Sequence, residues 1–214
     1  MQLARLVPAL FALLVSNAAM AQGWFDYVNR EEFFSINLPG EPKVEQFTYI
    51  SEYGSKLPAK RFTAQNGEES YTVTVVNMST TDRPPGYSHG NELRGAIAFA
   101  ATSVRRTGTV TLDAYTEVDV IPGMALQVTL PNGRRNFVAI HQHARRLYIT
   151  EATVPNRIDV PPPTQFQASL AILDAEGNTL RYQDNNYSFP EGRPLARRGG
   201  APAQAPAAVG APAQ

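Results

Sequence analysis

The chain has 214 residues, 43% of them hydrophobic, no cysteine, and nineteen basic against nineteen acidic side chains. That balance excludes a bulk electrostatic pull toward nucleic acid, and the missing cysteines exclude a disulfide-stapled scaffold. Burial alone must hold the fold, and a chain of this size buries roughly two-thirds of its unfolded surface, so no structural metal is required.

The N-terminus reads as an export signal. Arg5 supplies a positive charge, an apolar run extends from Leu6 to Val15, and Ala19 and Ala21 form a small-residue cleavage site before Gln22. The run is too short to cross about 30 Å of hydrocarbon, so residues 1–21 are expected to be removed rather than to act as a transmembrane anchor. Loss of Arg5 leaves the remaining chain with about one net negative charge. The expected location is the periplasm or the exterior.

Residues 22–189 are expected to form one α+β domain. Strands are predicted from Phe33 to Asn37, Val44 to Glu52, Pro58 to Gln65 and Ser70 to Met78, with Asn66-Gly67 turning the last two into a hairpin. The aromatic cluster Trp24, Phe25, Tyr27, Phe33 and Phe34 is assigned to core or edge packing. A long loop, Ser79 to Gly90, brings Asp82, Arg83, Tyr87, Ser88 and His89 together in sequence, and long loops often carry function. Asn91 can cap a helix from Glu92 to Arg106 whose Leu93, Ile97, Ala100, Ala101 and Val104 form one apolar stripe.

Alternation is strongest after this helix. Between Val110 and Val120 the even positions are largely apolar and the odd ones polar, which predicts a strand with one wet face. Met124 to Leu130 repeats the pattern. Over Pro131-Asn132-Gly133, a three-residue loop with left-handed Gly133 sets Leu126 against Val138 and Met124 against Ile140. A two-residue turn at Ala144-Arg145 then sets Ile140 against Ile149 and Gln142 against Leu147 toward the core. His141 faces Tyr148, and His143 faces Arg146, on the opposite side. A second helix, Pro163 to Asp174, presents Phe166, Leu170 and Leu173. Residues 190–214 mix alanine, proline, glutamine and glycine with nothing to bury, the composition of a disordered tail. The expected class is therefore a mostly antiparallel sheet with two covering helices.

Several segments resemble the exported PsbP-like and DcrB-like proteins. Phe-Ser-Ile-Asn-Leu-Pro-Gly-Glu-Pro, Phe34 to Pro42, is similar to their opening strand and turn; Arg145 to Thr150 resembles a hairpin strand, and Phe166 to Ile172 the late helix after it. The resemblance implies an αβα sandwich that serves as a binding or accessory module, with no shared active site to carry over.

The candidate ligand-contacting residues are His141, His143, Tyr148, Tyr87 and His89. Paired imidazoles two apart on a strand are a common seed of a zinc or copper site, but they lack carboxylate or cysteine company, and a facing Arg146 opposes a cation. A solvated polar strand face is the expected reading, with no metal and no cofactor. Arg134-Arg135 and Arg145-Arg146 lie at opposite ends of one strand, about 25 to 30 Å apart, and read as charged turns. Glu31-Glu32 and Glu68-Glu69 read as surface turns. No Gly-x-Ser-x-Gly elbow accompanies Ser88-His89. The expected function is a non-enzymatic envelope binding or accessory protein for an unidentified protein or small molecule. The alternatives are a hydrolase built on the 79–90 loop or the histidine strand, and a structural component with the tail as spacer.

Overall fold

The computed structural model describes residues 23–80, 89–119 and 121–180; the expected signal peptide, the tail, and loop positions 81–88 with Tyr87 lie outside them. In chain order the elements are β1 (Phe25–Asn29), β2 (Phe34–Leu38), β3 (Lys43–Ile50), β4 (Lys56–Asn66), β5 (Glu69–Asn77), α1 (His89–Arg105) and β6 (Thr109–Val118). There follow β7 (Ile121–Thr129), β8 (Arg135–His143), β9 (Arg146–Val154), α2 (Thr164–Ala168) and β10 (Ala171–Ile172). Seven strands form an antiparallel sheet in the order β3-β4-β5-β9-β8-β7-β6, and β1-β2-β10 form a small antiparallel sheet.

Each face of the large sheet is sealed differently. On one face, Ala96, Ile97, Ala100 and Ala101 of α1 pack on Val76, Leu126, Val138, Ile140, Leu147 and Ile149. Small helical residues let the helix approach closely, and the apolar stripe read from the sequence is the face that is buried. On the other face, Phe34, Ile36 and Leu38 of the small sheet join Phe166, Leu170 and Ile172 over Phe62, Val73, Val75 and Tyr148. Rings interlock here, with Phe34 at 5.3 Å from Phe62 and Phe166 at 5.1 Å from Tyr71, both edge-on.

Turn chemistry set both hairpin registers as expected. Gly133 takes φ 80°, Leu130 and Arg134 are joined by a 2.8 Å backbone bond, and Leu126 lies opposite Val138 and Met124 opposite Ile140. Ala144 and Arg145 both adopt positive φ, 44° and 61°, the twist that a two-residue hairpin turn needs. Ile140 accordingly faces Ile149, and His141 faces Tyr148.

Three expectations are corrected. The second helix is not Pro163 to Asp174: it stops at Ala168, where the Ser169 hydroxyl donates to the Phe166 carbonyl, and the chain then pairs Ala171 with Ser35 and Ile172 with Phe34. One face is thus covered by a small sheet with a single helical turn rather than by a second long helix. α1 begins at His89, so Asn91 lies inside the helix and is not its cap. In β6 the register shifts between Val110 and Leu112, which sends Val110 to the face of Val128 and Leu112 to the face of Gln127. The even positions therefore do not share one side along the whole strand.

Candidate functional site

The β8–β9 turn brings four of the polar side chains singled out in the sequence to one end of the large sheet. Because alternate residues face alternate sides, Gln142 points to the helix side, while His141, His143, Arg146 and Tyr148 point toward the small sheet. The expectation of a solvated face is overturned for His141, while His143 is half-buried. His141 is 3% exposed, and Tyr148 beneath the Phe34 ring is buried as well. Alternation gave the correct side, but that side is dry because β1, β2 and β10 cover it.

The His141 ring is tightly fitted. Its Nδ1 lies 3.3 Å from the Ile121 carbonyl oxygen, and since a carbonyl only accepts, Nδ1 carries the proton in that contact. Gly123 stands directly across from His141, and a Cβ there would collide with the Ile140 carbonyl and the imidazole itself. Burial holds the His141 pKa below the usual value against the opposing pull of the Ile121 and Pro122 carbonyls, and burial likewise lowers His143.

Around them lies an ion-pair cluster that sequence reasoning missed. Glu32, read as a surface turn, is 8% exposed and sits between Lys60 Nζ at 2.9 Å and Arg146 Nε at 3.3 Å. Glu31 reaches the same Lys60 at 2.5 Å. The two acids converge because they lie in the β1–β2 connection, where strand alternation does not apply, and Asn29 Oδ1 accepts the Glu32 N–H at 2.8 Å to shape that turn. Phe33 follows at φ 56°, with the Arg146 guanidinium 4.5 Å from its ring centroid. The Tyr148 hydroxyl donates to the Glu32 carbonyl at 3.0 Å, and burial pushes its pKa well above the ordinary tyrosine range. The sequence carried one local hint, an Asn three residues before a Glu.

The start of the long loop reaches the same end of the sheet. Met78 N–H donates to the Arg145 carbonyl at 2.8 Å, and the Arg145 guanidinium donates to the Met78 and Ser79 carbonyls at 3.3 and 3.0 Å. His89 is the first residue of α1. On the helix side Gln142 Oε1 is buried and has no hydrogen-bond partner among the described residues. The arginine pairs are structural ties rather than simple charged turns. Arg134 donates to the carbonyls of Glu68 and Thr153, Arg135 to that of Val160 at 2.6 Å, and Arg105 forms a two-point contact with Asp113 at 2.7 and 3.0 Å.

The chemistry available follows from these contacts. His141 is committed to a main-chain carbonyl, Tyr148 to another, and Glu32 to two cations, so these three groups are already spent on structural partners. No cluster of three metal-ligating side chains occurs among the described residues. Nor is any helix among them long and apolar enough to cross a membrane.

No family model matches the chain, and no curated protein matches it. Among solved structures it is similar to the solution structure of cyanobacterial PsbP (CyanoP) from Synechocystis sp. PCC 6803. The identity is 9%, the match covers 73% of this chain and 95% of that one, and the TM-score is 0.45.

Proposed function

We propose that the protein is a non-enzymatic, exported binding or accessory module of the cell envelope, built on a PsbP-like variant of the α+β sandwich. One observation carries this reading: among the described residues, the buried His141 and Tyr148 are bonded inward, His141 to the Ile121 carbonyl and Tyr148 to the Glu32 carbonyl. A general base must be within reach of a substrate proton, and an imidazole sealed against backbone is not. The export signal read from residues 1–21 and the apolar surface left at Trp24, Phe25, Val28, Val44 and Ile50 also support it, since exposed aromatic and aliphatic groups are the anchors of binding surfaces.

The test pairs a turnover screen with a binding assay on the protein lacking residues 1–21. Ester, peptide and phosphoester substrates are expected to show no turnover above background. Site-specific photo-crosslinkers at exposed positions are expected to capture one partner that binds stoichiometrically when both components are purified. Turnover that disappears in His143→Ala or His89→Ala would establish the hydrolase instead, and failure to bind any envelope component would remove the binding reading.

A further inference from the structure

β3 is an outer strand of the large sheet: it pairs with β4 on one side and with no described residue on the other. All eight of its residues follow β4 in unbroken register, from Lys43 opposite Thr63 to Ile50 opposite Lys56. Stable monomers guard such edges with proline, bulges or charge, because a row of free N–H and C=O groups templates another strand. β6, the opposite outer strand, carries a bulge after Val110 and two acids on one face, Asp113 and Glu117. β3 has no proline and no bulge, and its Val44 and Ile50 are 48% and 49% exposed.

The side chains of β3 pair off about Phe47, with like character on the face of Val44, Gln46, Thr48 and Ile50. Counting outward gives Gln46 with Thr48, Glu45 with Tyr49, and Val44 with Ile50. In a strand of period two, each such pair lies on one face: Val44, Gln46, Thr48 and Ile50 share a side with Phe62, while Glu45, Phe47 and Tyr49 share the side facing α1. If two copies of β3 run antiparallel about a twofold axis at Phe47, each exposed valine meets an exposed isoleucine. The hydrogen-bonding Gln46 and Thr48 meet each other, and the two Phe47 rings meet at the axis.

Charge agrees with this arrangement. The only acid of β3, Glu45, faces Tyr49 of the second copy and stands beside Arg61 of its own β4. No like charges are placed directly opposite, which is the condition for favourable cross-strand pairs. Self-pairing of β6 would instead gather Asp113 and Glu117 from both copies on one face.

We propose that the protein forms a twofold dimer by antiparallel β3–β3 pairing centred on Phe47, joining the two seven-stranded sheets into one. The interface is isologous and closes on itself, so it gives a dimer and not a filament. Pairing of the strand adds about eight backbone hydrogen bonds, two for each hydrogen-bonded residue pair.

Sedimentation of the protein lacking residues 1–21, across the micromolar range, is expected to give twice the monomer mass. The double variant V44K/I50K sets lysine against lysine at both ends of the interface while altering only exposed positions. It is expected to sediment as a monomer with unchanged circular dichroism. Because the natural chain has no cysteine, V44C and I50C proteins mixed under mild oxidation report the register directly. The mixture is expected to form disulfide-linked dimers, and either variant alone is not, since Val44 faces Ile50 and lies far from its own copy. A monomer at every concentration overturns the proposal. So does a dimer that survives V44K/I50K, or cross-linking of V44C alone as readily as of the mixture.

Discussion

Replacing Glu32 by glutamine keeps the side-chain volume and removes its charge from between Lys60 and Arg146. The Glu32 side chain is 11% exposed and its partners 21% and 22%, so the cluster lies between a surface pair and a fully buried one. A surface pair contributes about 0–1 kcal/mol, whereas breaking a buried pair costs about 3–5 kcal/mol. Glu31 still holds Lys60 in the variant, which moderates the loss. The expected destabilisation is about 2 kcal/mol, and with a urea slope of about 2 kcal/mol per molar the unfolding midpoint falls by about 1 M. A double-mutant cycle with Arg146→Met isolates the direct pair, for which a coupling of about 1 kcal/mol is expected. A loss under about 0.5 kcal/mol for Glu32→Gln, with no coupling to Arg146, would refute the reading of Glu32 as a buried charge held between Lys60 and Arg146.

Stability should also fall with acid in a defined window. Burial lowers the folded-state pKa of His141 and His143 below the ordinary 6.5, so the unfolded chain binds protons first as pH drops. Their contribution is complete above about 6.5 and is lost as pH falls toward the folded values, at up to about 1.4 kcal/mol per pH unit for each proton. Urea titrations between neutral and mildly acidic pH check this, and His143→Gln should flatten the slope. Gly123→Ala should destabilise by about 3 kcal/mol or yield insoluble protein, because its methyl meets the Ile140 carbonyl and the His141 ring. Phe166→Ala, at a fully buried ring, should cost about 3–5 kcal/mol, while Tyr115→Ala, at a residue 92% exposed, should stay within about 0.5 kcal/mol; thermal melts separate the two.

The parts of the fold that local chemistry decides were legible in the sequence. Pro131-Asn132-Gly133 and Ala144-Arg145 each admit few turn geometries, and those geometries fixed which residues face one another across β7, β8 and β9. The stripe Ile97, Ala100, Ala101 likewise announced α1. The parts settled by distant partners were not legible. Leu170 and Ile172 fit a strand as well as Phe166, Leu170 and Leu173 fit a helix, and the open edge of β2 decided between them. β1 is only five residues long and its apolar residues are partly exposed, so no clear alternation marked it.

The candidate site shows the same division. Strand period placed His141 and His143 on one side with Arg146 and Tyr148 opposite them, and that held. Whether the side was wet depended on the small sheet, whose docking no pattern along β8 reveals. Glu32, Lys60 and Arg146 are far apart in sequence and converge only through the ladder and the β1–β2 turn.

The account rests on a sheet whose central strands β5, β9 and β8 are buried on both faces, with His141 sealed into one of them. An NMR pH titration of the His141 ring, with His143 and His89 as internal comparisons, measures that state. The ring is expected to protonate at a lower pH than a free imidazole, with the proton of the neutral ring on Nδ1. Titration near pH 6.5 with rapid solvent exchange of the ring proton would contradict the sealed arrangement and reopen the histidine strand as a reactive surface.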